Sequence, residues 1–274
     1  MEYKFLVASD IDNTLLITGT DVSAENRRAI KAIEDAGGAF TLATGRSFYL
    51  IGKYAEDLNL TVPCIVSNGG GLADPVANKE IKSYIIDKDL VRELMLMLWE
   101  RKINFAGYSS EGVFFAPTSD RREFFENYNR TAPEGRKAVL CDLTLDMIQS
   151  GNMPAFNKIL TVEADPDTCR ELRARTDISC CASTAIFLDI MAPGATKGRA
   201  LLDLADLLGV SRDMTFALGD NENDIEMLRD AKYGIAMGNA TEETKAVCDY
   251  VTTDCKEDGF AKAVFDIILP KIGR

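Results

Sequence analysis

Short apolar runs alternate with amphipathic stretches along the first third of the chain, a pattern typical of strands that alternate with helices. Apolar runs at residues 5–9, 39–43 and 63–67 each predict a buried strand. The stretches between them predict two helices, one from Ser23 to about Ala36 and one that ends near Leu58. This β-α-β-α-β order predicts an α/β fold with a doubly wound parallel sheet, whose strand ends converge on one crevice.

The pattern changes near residue 84, where predicted helices stand apart from paired strands. The predicted order is a helix and two strands, then two helix–strand pairs, then a helix and two strands, within residues 84–191. Such segregation is typical of an α+β insert. The alternation of strands and helices resumes after residue 192 and ends with a predicted helix at 258–269. We therefore expect one α/β body, residues 1–83 and 189–274, interrupted by a second domain at 84–188.

Composition supports a globular chain with a sizeable core. Of the 274 residues, 46% are apolar and 27% are charged, which is ordinary for a soluble domain. No apolar run approaches the eighteen or so residues that cross a bilayer, so we expect no membrane span. The first residues lack the pattern of a signal peptide, and a cytoplasmic location is therefore expected.

Charge and residue usage exclude several classes of protein. The net charge of −12 argues against nucleic acid as a partner, because that binding needs clustered Lys and Arg. The chain contains no histidine, which excludes Ser-His-Asp hydrolases, histidine-nucleophile phosphatases and His-ligated zinc enzymes. The seven cysteines form no CxxC pair and are expected to be reduced. Cys169 and Arg175 have the C-x5-R spacing of cysteine-dependent phosphatases, but the residues between them favour a helix, so we interpret the spacing as a coincidence.

Two carboxylates follow the first predicted strand. Asp10 and Asp12 emerge together from an apolar run, and ionised carboxylates in such a setting need a cationic partner. A calcium loop is excluded because its obligatory glycine position is occupied by Leu15, whereas a plain polar turn remains an alternative. The functional interpretation is that Asp10 attacks phosphorus to form an aspartyl-phosphate. Asp12 then protonates the leaving oxygen and later accepts a proton from water.

Three later segments offer partners for these carboxylates. Thr44 and Gly45 follow a predicted strand and start a helix, so they form either an ordinary cap or a phosphoryl site. Lys197, close to flanking glycines, faces either solvent or a phosphate. Asp220 follows a predicted strand as Asp10 does, within an acidic turn at residues 219–224. Asp10, Asp220 and a backbone carbonyl would together suit Mg²⁺, although acids at a helix start also act as caps.

Taken together, these segments resemble a known superfamily. The sequences at residues 10–14, 44–46, 197–198 and 219–224 resemble, in order, the four motifs of the haloacid dehalogenase-like (HAD) hydrolases. The strand end at Asn68-Gly69, the turn at 238–240 and the pair Asp258-Gly259 look like the Cof-type members. The predicted order of the insert, αββ(αβαβ)αββ, is similar to the large cap of that type, subclass IIB.

The resemblance implies a Mg²⁺-dependent phosphatase. It implies that Asp10 is the nucleophile and a metal ligand, and that Asp12 is the general acid/base and binds the metal through its backbone carbonyl. Asp220 would be a further metal ligand, with Asp224 in or next to the metal shell. The phosphoryl group would be held by Thr44, Gly45, Lys197 and Asn223.

The expected substrates are small phosphorylated metabolites, either sugar phosphates or phosphorylated cofactors, with the cap closing over the crevice and selecting the leaving group. Two alternatives remain open at this point. A phosphomutase would use the same aspartyl-phosphate but return the phosphoryl group to its product. A receiver-like or non-catalytic phosphoryl-binding protein would need neither the second carboxylate nor a large insert.

Overall fold

The computed structural model describes residues 2–273. In chain order, its strands are β1 (Phe5–Ser9), β2 (Gly38–Leu42), β3 (Cys64–Val66), β4 (Gly71–Asp74), β5 (Lys79–Ser83), β6 (Asn104–Ser109), β7 (Val113–Phe115), β8 (Leu140–Asp142), β9 (Phe156–Val162), β10 (Ser179–Ala182), β11 (Phe187–Met191), β12 (Thr215–Gly219), β13 (Tyr233–Ala236) and β14 (Tyr250–Val251). Its α-helices are α1 (Ala24–Asp35), α2 (Gly52–Asp57), α3 (Lys88–Glu100), α4 (Arg121–Thr131), α5 (Leu145–Ser150), α6 (Pro166–Ala174), α7 (Lys197–Leu208), α8 (Ile225–Asp230), α9 (Glu242–Lys245), α10 (Gly259–Ala263) and α11 (Leu269–Ile272).

A five-stranded parallel sheet, ordered β14-β13-β12-β1-β2, forms the centre of the body. β1 lies between β2 and β12, and its five side chains are all buried. Because successive strand residues point to opposite faces, Phe5 and Val7 pack into one apolar cluster, whereas Leu6 and Ala8 pack into another. Apolar side chains therefore cover both faces of the sheet. The polar residues that follow β1 and β12 emerge at one common edge.

The third predicted strand does not continue this parallel sheet. β3 pairs antiparallel with β4 in a separate sheet ordered β3-β4-β5, and an isolated bridge between Ala43 and Ile65 links it to the end of β2. Ser67 and Asn68 both have positive φ angles, of 53° and 54°, and they turn the chain back into β4. The expected doubly wound α/β architecture is nevertheless confirmed by the five-stranded sheet and its flanking helices.

The middle of the chain forms a six-stranded sheet ordered β10-β11-β9-β6-β7-β8, antiparallel except for the β7–β8 pair. Its elements follow one another as αββ(αβαβ)αββ, which confirms the predicted order of the insert. One face packs against α3, α5 and α6 through residues that include Leu94, Ile148 and Leu172. The opposite face carries Tyr108 and Leu160 and packs against Phe125 of α4.

The division into domains at residues 83/84 and 188/189 stays a prediction. β11 runs through position 189 and pairs with β9 over all five of its residues and with β10 over four of them. A strand of the six-stranded sheet therefore extends into the segment that the prediction assigns to the body.

Side-chain caps fix where some of the helices begin, including α1 and α7. Ser23 accepts a hydrogen bond from the Asn26 amide at the start of α1, as predicted, and Thr196 accepts one from the Arg199 amide at the start of α7. Gly209, with a φ of 69°, ends α7 in the left-handed conformation. Within residues 2–273, none of these helices combines the length and the apolar character that a membrane crossing requires.

Candidate active site

Asp10 lies at the end of β1, where the two neighbouring strands hold the backbone. Its amide donates a hydrogen bond of 3.0 Å to the carbonyl of Leu218 in β12, and its side chain is about 10% exposed. The parallel pairing of β1 with β12 brings Asp10 and Asp220 to one edge. This juxtaposition was predicted from the two apolar runs that precede these acids.

Lys197 is the first residue of α7 and is completely buried. Its ammonium nitrogen lies 2.7 Å from an oxygen of Asp10 and 2.7 Å from an oxygen of Asp224, and it donates a hydrogen bond to each. The cap at Thr196 fixes where α7 begins and therefore where this side chain points. The structure thus excludes a solvent-exposed position for Lys197, because its side chain faces carboxylates, and a contact with phosphate stays a prediction.

The turn after β12 is organised around Asp224, whose side chain is fully buried. One oxygen of Asp224 accepts hydrogen bonds from the amides of Asp220, at 2.9 Å, and Asn221, at 3.1 Å, while the other faces Lys197. Asp220 points instead towards Thr14, whose hydroxyl donates a hydrogen bond of 3.0 Å to it. Asp224 thereby holds the turn that presents Asp220.

Three carboxylates meet in this cluster. Asp10, Asp220 and Asp224 each offer an oxygen that lies within 4.8 Å of the oxygens offered by the other two. Burial, together with the neighbouring acids, raises the pKa of Asp10 above its usual range, although Lys197 opposes the rise. Burial and the charge of Asp224 raise the pKa of Asp220 to about 7. With a single lysine facing them, these hard oxygen donors suit a divalent cation such as Mg²⁺.

Asp12 stands apart from that cluster. Both oxygens of its carboxylate are held by the guanidinium of Arg46, at 2.9 Å and 3.1 Å, in a bidentate ion pair. The guanidinium also lies 5.3 Å from the ring centroid of Tyr54, which helps to fix its orientation. About a third of the Asp12 side chain remains exposed, at the wall of the main cavity. Asp10 and Asp12 therefore have different electrostatic partners, a cluster containing Lys197 for one and Arg46 for the other.

Thr44, Gly45 and Asn223 lie beside the two aspartates. The hydroxyl of Thr44 is buried and accepts a hydrogen bond of 3.1 Å from the amide of Arg46. The amide group of Asn223 donates a hydrogen bond of 3.0 Å to Asn68, which follows β3. The structure thus brings the residues predicted to hold the phosphoryl group to the edge where Asp10 lies.

A cavity of about 310 Å³ opens over this edge. Of the predicted site residues, the cavity is lined by Asp10, Asp12, Thr44, Gly45, Asp220 and Asn223. Lys197 and Asp224 are not among its lining residues and lie beneath Asp10. The opposite wall comes from the six-stranded sheet and α4, through Tyr108, Arg121, Phe124, Lys158, Leu160, Phe187 and Asp189.

A buried ion pair in that opposite wall was not predicted from the sequence. The ammonium nitrogen of Lys158 lies 2.9 Å from an oxygen of Asp189 and donates a hydrogen bond of 2.8 Å to the carbonyl of Gly45. Asn68 donates a hydrogen bond of 2.8 Å to the other oxygen of Asp189. These contacts join β9 and β11 to the loops after β2 and β3. The sequence feature that could have indicated this ion pair is the single charged residue inside each of two otherwise largely apolar strands, β9 and β11.

Comparison with known proteins gives consistent results. A family model for haloacid dehalogenase-like hydrolases matches residues 7–264. The chain is 31% identical over 259 residues to the 5-amino-6-(5-phospho-D-ribitylamino)uracil phosphatase YcsE of Bacillus subtilis, covering 94% of each chain. It is 25% identical over 268 residues to the pyridoxal phosphate phosphatase YbhA of Escherichia coli, covering 96% of this chain and 98% of the other. The solved structure of a haloacid dehalogenase-like hydrolase from Bacillus subtilis matches with a TM-score of 0.81 at 24% identity, covering 96% of this chain and 99% of that one.

These matches confirm the resemblance drawn from the four motifs, since the family model spans all of them. The expectation of an enzyme is also confirmed, and the alternative of a non-catalytic receiver-like protein is set aside. The chain belongs to the haloacid dehalogenase-like hydrolases and is a Cof-type phosphatase of that family.

Proposed function

We propose that this phosphatase depends on Mg²⁺ and hydrolyses small phosphorylated metabolites through an aspartyl-phosphate formed on Asp10. The observation that carries the proposal is the buried cluster at the edge of the sheet. Three carboxylates lie within 4.8 Å of one another and Lys197 is the cation that faces them, so the cluster has an excess of negative charge. A divalent cation would balance that charge.

The metal would be held by carboxylate oxygens of Asp10 and Asp220 and by the backbone carbonyl of Asp12. Asp224 already accepts three hydrogen bonds, from Lys197 and from two backbone amides, which suits a place next to the metal shell. When bound, Mg²⁺ supplies positive charge that offsets the developing charge on the phosphoryl oxygens. Its presence would also keep Asp10 ionised despite its burial.

In the first chemical step, a carboxylate oxygen of Asp10 forms a bond to phosphorus and the bond between phosphorus and the ester oxygen breaks. Asp12, which is protonated and released from its ion pair with Arg46 at this stage, delivers a proton to that oxygen, so that the leaving group departs as an alcohol. In the second step, a water oxygen forms a bond to phosphorus and the bond to Asp10 breaks, while Asp12 takes the proton of the water. Inorganic phosphate leaves and both aspartates return to their starting states.

The transferring phosphoryl group would be positioned by Thr44, Gly45, Lys197 and Asn223. The Lys197 ammonium has three N–H donors and uses two of them on Asp10 and Asp224, which leaves the third for a phosphoryl oxygen. Thr44 supplies a hydroxyl and Asn223 an amide group close to the same edge. Positioning of this kind, together with fixed charge, is the main contribution that a protein makes to phosphoryl transfer.

The substrate class is proposed from the size and the walls of the cavity. A volume of about 310 Å³ admits a small molecule rather than a phosphorylated protein surface. The wall formed by the six-stranded sheet and α4 would contact the leaving group, because Asp10 lies on the other side. Two relatives are named for phosphorylated small molecules, 5-amino-6-(5-phospho-D-ribitylamino)uracil and pyridoxal phosphate. We therefore propose sugar phosphates and phosphorylated cofactors as substrates.

The test is phosphate release across sugar phosphates, nucleotides, pyridoxal phosphate and flavin mononucleotide, with Mg²⁺ and after thorough chelation. We expect release only with the metal and its loss in Asp10→Asn. Asp21→Asn is the matched control, because Asp21 is exposed and pairs with the equally exposed Lys53. Wild-type rates in Asp10→Asn or in chelated enzyme would overturn the proposal. Formation of an isomerised sugar phosphate without phosphate release would instead indicate a phosphomutase.

A further inference from the structure

Arg121 differs from the other cationic side chains in the wall of the main cavity. Arg46 is paired with Asp12, and Lys158 is paired with Asp189. Within residues 2–273, no carboxylate lies within ion-pair distance of Arg121, although its side chain is only partly exposed. Arg121 is therefore a cation of the cavity wall whose charge no acidic residue in the described part of the chain balances.

The guanidinium of Arg121 lies between two aromatic rings and within hydrogen-bond reach of the Tyr108 hydroxyl, but its Nε atom has no acceptor among the described residues. The central carbon of the guanidinium lies 4.2 Å from the ring centroid of Phe124 and 5.0 Å from that of Phe187. Aromatic faces attract the charge but provide no acceptor for an N–H group. In agreement with this, the Nε atom is buried and has no hydrogen-bond partner within the described part of the chain. A buried donor without an acceptor is unfavourable until a ligand supplies one.

Tyr108, which lines the same wall, does not neutralise this charge. Burial raises the pKa of Tyr108 above its ordinary value of 10.0, even though the charges of Lys158 and Arg121 oppose the rise. The phenol therefore stays neutral at physiological pH. The Tyr108 hydroxyl oxygen can accept one hydrogen bond from the Arg121 guanidinium, which places that group in the cavity wall but leaves its charge in place.

From this geometry we infer that Arg121 binds a second anionic group, a carboxylate or a phosphate, on the leaving group of the substrate. A guanidinium fork matches the planar or tetrahedral oxygens of such groups and forms charge-assisted hydrogen bonds with them. The inference rests on the proposed function, in which the transferring phosphoryl group lies at Asp10. Arg121 projects from α4 into the opposite wall of the same cavity, so one small molecule reaches both.

The test uses pairs of phosphate esters that differ in one anionic group. In the first pair, 3-phosphoglycerate carries a carboxylate where glycerol 3-phosphate carries a hydroxymethyl group. In the second pair, fructose 1,6-bisphosphate carries a phosphate where fructose 6-phosphate carries a hydroxyl. We expect the wild-type kcat/KM to favour the anionic member by about 10-fold or more in at least one pair, and the preferred pair identifies the anion.

Two substitutions of Arg121 and one of Arg122 test whether the preference for anionic esters depends on the Arg121 guanidinium. Arg121→Gln should bring the ratio of kcat/KM values close to one, and Arg121→Lys should retain part of it, because the charge remains without the fork. Arg122→Gln is the matched control on the same helix, since Arg122 pairs with Asp142 and is not among the residues that line the cavity. A wild-type preference that survives in Arg121→Gln, or a wild type that favours neither anionic ester, would overturn the inference.

A binding measurement separates this inference from the proposed function. In an Asp10→Asn background, calorimetry compares the Kd of each anionic ester with that of its neutral partner. If the wild type releases no phosphate but tighter binding of the anionic ester still depends on Arg121, the proposed hydrolysis fails and the subsite stands. Equal Kd values within both pairs would contradict the proposed anion subsite, whether or not the wild type hydrolyses phosphate esters.

Discussion

The ammonium nitrogen of Lys197 lies 2.7 Å from a carboxylate oxygen of Asp10, although 187 positions separate the two residues in the chain. The same nitrogen lies 2.7 Å from Asp224, and both ion pairs are almost fully removed from solvent. The charge balance of the buried cluster therefore depends on this one lysine. Since buried charges are strongly coupled to stability, the arrangement can be probed in the metal-free protein as well as through turnover.

Lys197→Met should destabilise the metal-free protein by about 3–5 kcal/mol, because it removes one partner of a buried ion pair and leaves the others uncompensated. Urea unfolding in the presence of a chelator measures this loss. Adding Mg²⁺ should restore part of the free energy of unfolding, since the ion replaces some of the missing positive charge. Turnover should fall by about 100-fold or more even with saturating metal.

The matched control for that experiment is Lys53→Met. Lys53 also pairs with an aspartate, Asp21, but both side chains are at least 70% exposed. Exposed ion pairs are screened by water and contribute little to stability, so this variant should behave like the wild type. Equal stability of Lys197→Met and Lys53→Met would contradict the account of the buried cluster.

The stability of the metal-free protein should fall as the pH rises from about 4 to about 7. The pKa of Asp220 is near its ordinary value of 3.8 in the unfolded chain but about 7 in the folded protein. The folded state therefore binds the proton more tightly, and that contribution is complete below pH 4 and lost as the pH passes through 7. Asp10 acts in the same direction. Thermal unfolding in chelator across this range measures the slope.

Asp220→Asn should make that slope shallower, because it removes one of the two titrating carboxylates. Saturating Mg²⁺ should reduce the slope in the wild type, since the ion favours the ionised carboxylates. Two results would contradict this prediction: a melting temperature that is independent of pH in the metal-free wild type, or an unchanged slope in the variant. Either would show that burial does not raise the pKa of these carboxyl groups.

Gly69→Ala should destabilise the protein by about 2 kcal/mol or more. Gly69 has a φ of 88°, and a Cβ atom there would lie 2.1 Å from the carbonyl carbon and oxygen of Thr196. The substitution would push against the residue that caps α7 and so displace Lys197, which should also lower turnover. Chemical denaturation and phosphate release measure the two effects.

Gly209→Ala separates crowding from backbone strain. Gly209 also has a positive φ, of 69°, but nothing lies within 4 Å of the position of its missing Cβ. This variant should therefore lose only the cost of a left-handed alanine, about 1 kcal/mol, and keep its turnover. If the two alanine variants were equally stable, close approach of Gly69 to Thr196 would not be the reason for glycine at that position.

The sequence was most informative where the signal is local. Alternating apolar runs predicted β1, β2 and β12, and because parallel strands end at one edge of a sheet, they also predicted that Asp10 and Asp220 would meet. The order of elements in the insert followed from the change in pattern near residue 84. β3 was misplaced because its three residues match a buried strand of either sheet type, and the left-handed turn at Ser67 and Asn68 has no apolar pattern.

Contacts between distant segments of the chain cannot be predicted from local patterns of apolar and polar residues. The pairing of Arg46 with Asp12 and of Lys158 with Asp189 depends on how the two larger sheets face each other, which a single sequence does not encode in its periodicity. The place of Arg121 in the cavity wall was also not predictable, since an arginine at a helix start is usually exposed. Its position became informative only once the cavity wall and the rings of Phe124 and Phe187 were in place.

The most direct test of the central claim is to trap the covalent intermediate. Enzyme that is turning over a phosphate ester with Mg²⁺ would be quenched in acid and reduced with borohydride, which converts an acyl phosphate of aspartate to homoserine. Peptide mass spectrometry then identifies the modified position. We expect homoserine at position 10 in the wild type, and none when substrate is omitted. Reduction at another carboxylate, or no reduction at any carboxylate while phosphate is being released, would contradict it.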